Sequence, residues 1–280
     1  MKRTLLLTAI VLLGACKKKD PATTPPDGGP AVGEGDTKAG GQTGQPTVPQ
    51  EPDPPAIAQA REQYLLGNYE KAKELLTPLT ADLKTRQQLR ASGLSAGWLA
   101  LSVVDPVAED AKEPAEHAVA MGDQTGDKEV QVVGKLALGA YQLGIDDEAA
   151  AAPNLEAAFK LQPDGPNAAL ALVLYGEVKV NMAFGGEEKE QITNPGELDS
   201  AYSTFTKAQR LADSQPGNEL VAARAHEGLA SVANYKKALK DACSHAMEAG
   251  KIYTAKSAGQ PLVERVNAIM EAARCEKAAS

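Results

Sequence analysis

The chain has little of what side-chain chemistry usually needs. Its 280 residues hold three cysteines and three histidines, and His117, His226 and His245 are scattered singly. No Gly-x-Ser-x-Gly, His-Glu-x-x-His or Gly-x-x-x-x-Gly-Lys-Ser/Thr occurs. Nucleophile-elbow, zincin and P-loop chemistries therefore have no support in the sequence. Cys243-Ser244-His245 fails as a metal pair on a helix, because an i, i+2 spacing puts the two side chains about 200° apart. Asp123-Gln124-Thr125-Gly126-Asp127 lacks the ligand series and closing glutamate of a calcium loop and reads as a turn. No catalytic residue, metal or cofactor is expected.

Aromatic residues are also scarce, at 4% with the single Trp98. Few β-branched runs accompany the abundant alanine, so the composition favours closely packed helices over a sheet. Excess positive charge is missing too. The net charge is −8, and all of it falls after residue 55, where 23 Lys+Arg face 31 Asp+Glu. Nucleic acid, which calls for a basic face, is not an expected partner. Long apolar runs are absent as well. Thr4 to Leu13 is apolar for only about ten residues, where a spanning helix needs roughly 20.

That short run is informative for what surrounds it. Met1-Lys2-Arg3 precedes it and Leu13-Gly14-Ala15-Cys16 ends it, the layout of a secretory signal. Leu-Gly-Ala-Cys resembles the lipobox of bacterial lipoproteins. The resemblance implies that residues 1–15 are removed and that Cys16 is acylated, anchoring the mature chain to a membrane of the cell envelope. Lys17 is not the aspartate that the lipoprotein pattern associates with inner-membrane retention, which points to the outer membrane, periplasmic side. Between Lys17 and Pro55 stand nine of the 18 prolines and almost no large apolar residue. Such a stretch cannot offset its ordering entropy and is expected to be a disordered tether over residues 16–55.

From Ala56 onward apolar residues recur at helical spacing, broken every 15 to 20 residues by turn signals. Breaks fall at Gly67-Asn68, Asp105-Pro106, Gly122 to Asp127, Gly144, Pro163 to Pro166, Gly185-Gly186, Pro216 to Asn218 and Gly259 to Pro261. Helix pairs at this period are the signature of an α-solenoid. Gly67-Asn68-Tyr69-Glu70-Lys71-Ala72 and Ala158-Phe159-Lys160-Leu161-Gln162-Pro163 resemble tetratricopeptide repeats. Tyr202, Phe205 and Ala208, and Asn234-Tyr235-Lys236-Lys237-Ala238, are looser matches, the latter with a helix expected from Tyr235 to about Ala258. The expected fold is all-α: a right-handed solenoid of paired antiparallel helices over residues 56–258, with a capping helix in 259–280.

In tetratricopeptide proteins the first helix of each pair lines a concave groove for protein or peptide partners. Carried over here, the resemblance implies Lys135, Asn167, Glu177, Asn181, Arg224 and Glu227 as groove residues. The Lys/Asn clamp for chain-terminal carboxylates is not recognisable. The expected function is a non-enzymatic, lipid-anchored scaffold for protein–protein interaction. An assembly component of an outer-membrane complex and an enzyme with an unrecognised site are the alternatives.

Export would also decide the fate of the two remaining thiols, since an oxidising compartment favours their pairing. With a turn near residues 259–260, Cys243 and Cys275 lie nearly level on two antiparallel helices. A disulfide between them is expected.

Overall fold

The computed structural model describes residues 51–105, 107–185 and 191–275. The expected signal segment, the expected acylation at Cys16 and the expected tether up to residue 50 lie outside the described residues. Among the described residues eleven α-helices follow one another: α1 (Pro55–Leu65), α2 (Tyr69–Thr85), α3 (Leu89–Val103), α4 (Lys112–Thr125), α5 (Lys128–Gly144) and α6 (Glu148–Leu161), then α7 (Ala168–Ala183), α8 (Pro195–Asp213), α9 (Glu219–Tyr235), α10 (Leu239–Ala255) and α11 (Gln260–Ala272). The protein is an all-α solenoid-like array in which each helix packs on the next.

Burial separates two layers. In α3, 12 of 15 residues are buried, and in α9, 13 of 17. In α2, by contrast, only Ala72, Leu76 and Leu83 are buried, a stripe on one face. A helix buried all round belongs inside, whereas a one-sided helix faces water. Helices α3, α5, α7 and α9 accordingly form the inner layer, and each odd-numbered helix from α1 to α11 packs also on the next odd one.

The inner helices run parallel. Arg90 at the start of α3 ion-pairs with Asp127 and Glu129 at the start of α5. Asp53, just before α1, joins the same guanidinium. The folded region therefore begins a few residues ahead of Ala56. Glu51 strengthens this docking, with its N–H on Gln88 Oε1 at 3.0 Å and its carboxylate on Arg86.

Turn chemistry sets the helix ends. Gly67 takes φ +78°, and a Cβ there would sit 2.7 Å from Leu262 Cγ, so both the turn and the close approach of α11 require glycine. The expected break at Gly122 to Asp127 is narrower than the sequence suggests. Gly122 is buried inside α4, and the turn is confined to Gly126-Asp127. Asp127 then caps α5, accepting from the N–H groups of Glu129 and Val130. Tyr235 ends α9 where a helix start was expected, and Lys237 at φ +61° makes that turn without a glycine. A short antiparallel pairing of Phe184–Gly185 with Gln191–Ile192, not foreseen from the sequence, stands on either side of the acidic stretch Glu187-Glu188-Lys189-Glu190 in the chain.

Cys243 and Cys275 are joined, with Cα atoms 5.3 Å apart. Cys275 lies just past α11 and not within it, and the bond fastens that end to a small cluster of Ala233, Ala242 and Ala273. Reduction is expected to lower stability by about 3–4 kcal/mol on the chain-entropy scale. Hydrogen exchange should show loosening of α10, of α11 and of the Gly67 turn against which α11 packs, with α4 to α6 unchanged. Equal loosening of every helix would contradict this.

Candidate functional site

The concave side of the array is closed by its own first helix. Arg61 of α1 donates from Nε to Asn167 Oδ1 at 3.3 Å and from Nη2 to Asn218 Oδ1 at 3.4 Å. Asn167 and Asn218 are the residues that precede α7 and α9. Its guanidinium also lies 5.6 Å from the centre of the Trp98 ring. Tyr64, one turn on, packs its ring 5.7 Å from Trp98 of α3 and accepts a 3.0 Å hydrogen bond from Arg224 Nη1 of α9. At the far end of the chain, Gly259 N–H donates to Leu66 O at 2.6 Å. The first and last helices thus meet, and the groove becomes a cavity.

This cavity has a volume of about 910 Å³. Its walls are apolar, with Leu101, Val104, Leu143, Leu174, Val180 and Phe205. Phe205 reaches in from α8 because α7 and α9 have glycine where it passes: a Cβ at Gly176 would lie 2.6 Å from its Cε1, and one at Gly228 would also overlap the ring. Solvent reaches the cavity where the exposed Glu70, Lys71, Asp105 and Asp146 line it.

The floor is charged. Glu227, only 3% exposed, accepts from Tyr253 Oη at 2.9 Å and from Arg265 Nη2 at 3.2 Å. Arg265 Nε is 2.8 Å from the other carboxylate oxygen, but off the line a hydrogen bond needs. Arg224 approaches Glu177 less closely, at 3.7 Å. Burial raises the Glu177 carboxyl above its usual range, against the pull of Arg224. Burial opposes the charge of Arg224, yet the phenol of Tyr64 and the Glu177 carboxyl outweigh it and hold the guanidinium protonated. Burial also pushes the Tyr69 phenol up, so it stays an O–H donor.

Of the residues expected to line a groove, Glu177, Asn181, Arg224 and Glu227 do line this cavity. Asn167 does not; it is 3% exposed and serves the closure through Arg61. Lys135 is half-buried on α5 and is not part of the lining. Sequence reasoning missed Arg265 and Tyr253. Arg265 falls among Leu262, Val266 and Ile269, the buried stripe of α11. A charge on an apolar stripe was its legible signal.

Cys243 is engaged in the disulfide, and His245 instead meets His226, Nδ1 to Nδ1 at 3.0 Å. One ring must donate its proton to the other, so at least one is neutral. Among the described residues no group of three or more His, Cys, Asp or Glu is arranged to hold a metal ion.

Burial lowers the pKa of both histidines, against Asp213 and Glu248 at His226 and Asp241 at His245. His226 lowers that of its neighbour further. As pH falls below about 6.5, the unfolded chain takes up protons first. Stability should therefore be full above that value and decline toward the folded-state pKa values. Urea midpoints at pH 8 and 5.5 would show the decline, and His245→Gln should flatten it. A midpoint that rises on acidification would contradict the assignment.

No helix among the described residues is long and apolar enough to cross a membrane. No protein-family model matches the chain, and no curated protein is significantly similar to it.

Proposed function

We propose that this chain is a lipid-anchored, non-catalytic adaptor of the cell envelope that captures a segment of a partner protein at the mouth of its cavity. The supporting observation is the chemistry of that mouth. The parallel inner helices α3, α5 and α7 end there together, and Val107, Ile145 and Met182, at or just beyond those ends, are 46%, 40% and 37% exposed. Helix C-termini each carry roughly half a negative charge, and Asp105 and Asp146 add to it. A segment with lysine or arginine beside apolar side chains complements such a rim. The anchor rests on Leu13-Gly14-Ala15-Cys16, and the tetratricopeptide-like turns fit a family that works by holding other proteins.

A photo-crosslinking residue at Ile145 should yield discrete adducts in intact cells, lost when Asp105 and Asp146 become asparagine. The same probe at Met247, on the outer helix α10 and 59% exposed, should yield none of them. Identical adducts from both positions would overturn the docking site. Cys16→Ser should release the protein from membranes, since acyl chains alone are assigned to hold it there. Retention after a high-salt wash would overturn the anchor.

A further inference from the structure

The floor of the cavity carries hydrogen-bond donors that the protein itself leaves unused. Tyr69 Oη, Arg224 Nε and Ser231 Oγ are buried, line the cavity and have no partner in the protein. Arg224 and Ser231 are 7% and 3% exposed. A buried donor without a partner costs on the order of 1–3 kcal/mol, and three of them around one cavity point to a ligand that supplies acceptors. Tyr69 and Arg224 both lie against the ring of Tyr64, with 5.8 Å between the two ring centres and 5.5 Å from the guanidinium carbon to the Tyr64 ring, so a head group beside Tyr64 is within reach of both. Ser231, seven residues along α9, lies roughly 10 Å farther along that helix.

We propose that the cavity binds a small amphiphilic carboxylate, with its head on the Tyr69 hydroxyl and Arg224 Nε–H and its apolar body along Leu101, Leu143 and Val180. The volume of about 910 Å³ falls within the roughly 300–1,000 Å³ of small-molecule sites. Charge argues against a dianion. Glu177 and Glu227 lie beside the arginines, and Glu70, Asp105 and Asp146 line the entrance, so a phosphate dianion would meet repulsion from all of them. A carboxylate asks for two donors and brings one charge. The weak 3.7 Å approach of Glu177 to Arg224 leaves that guanidinium able to accept it. The apolar walls reject a ligand that is polar throughout. This inference does not depend on docking at the rim, because the floor and the rim are different residues with separate assays.

The test is a titration of the full chain bearing Cys16→Ser, in detergent-free buffer, with dodecanoate below its micellar range. Trp98, the only tryptophan, touches Tyr64, which in turn bonds Arg224, so its fluorescence should report binding. Dodecanoate should bind saturably with one molecule per chain, and dodecanol at least about tenfold more weakly, as expected for loss of charge-assisted hydrogen bonds. Tyr69→Phe should weaken dodecanoate about tenfold, leave dodecanol unchanged and not lower the melting temperature, because it deletes a hydroxyl that the free protein does not use. Ser231→Ala is the second variant and should likewise leave the fold intact.

The proposal is overturned by any of four results. These are no saturable binding, equal binding of dodecanoate and dodecanol, unchanged dodecanoate affinity in Tyr69→Phe, or preference for inorganic phosphate. Binding confined to peptides with a free C-terminus, with dodecanoate inert, would also overturn it.

Discussion

Phe205→Ala is expected to destabilise the protein by about 3–5 kcal/mol, the usual cost of emptying a buried phenylalanine site. Phe205 is 1% exposed and is the bolt between three helices. It projects from α8 through the gap that Gly176 and Gly228 leave between α7 and α9. Neither glycine can refill the space, so the void persists and merges with the central cavity. The two-sided fit makes a sharper test than the single change. Gly228→Ala alone should also destabilise, since its Cβ lands on the ring. Added to Phe205→Ala, the same methyl group has room, and the pair should cost less than the sum of the two single changes. Urea unfolding of the four proteins measures this. A Phe205→Ala loss below about 1 kcal/mol, or strict additivity, would show that the ring does not lock α7 to α9.

Glu227→Ala is expected to cost a similar amount, about 3–5 kcal/mol, because removing one member of a buried ion pair strands the other. Arg265, with a side chain 12% exposed, and the fully buried Tyr253 both direct hydrogens at this carboxylate. These contacts join α9, α10 and α11, so the loss should appear as early unfolding of the C-terminal helices. Glu227→Gln keeps an acceptor oxygen for Tyr253 and should be the milder change by about 1 kcal/mol or more. Replacing the cluster with apolar residues, as Glu227→Leu with Arg265→Met and Tyr253→Phe, should recover most of the stability. An alanine variant that melts with the parent would mean that the cavity hydrates Arg265 well enough to replace the carboxylate.

The helices were legible because their information is local. Apolar spacing, Gly67-Asn68, Pro163 to Pro166 and Gly259 to Pro261 mark most boundaries to within a few residues. Errors arose where a residue had two meanings. Gly122 reads as a turn former, but it is helical because α5 passes so close that a Cβ would lie 2.9 Å from Gln131 Cα. Tyr235 reads as opening a helix and instead closes one, because Lys237 adopts a conformation usually left to glycine. The level placement of Cys243 and Cys275 followed from counting residues on either side of a turn, and only the ring of contacts around Ala233 and Ala273 brought the sulfurs together.

By itself the sequence determined an all-α array of paired helices, with charged side chains on the inner helices α7 and α9. The tertiary structure alone decided that the concave face is a cavity and not an open groove. That outcome depends on Arg61 reaching Asn167 and Asn218, 106 and 157 residues away, and on Leu262 settling against Gly67. Periodicity within a helix says which face is buried. It carries no information about which distant helix covers that face, because curvature accumulates over the whole array from small packing choices at each interface. The same closure gathers Arg224, Glu227, Tyr69 and Ser231 into the lining of one cavity.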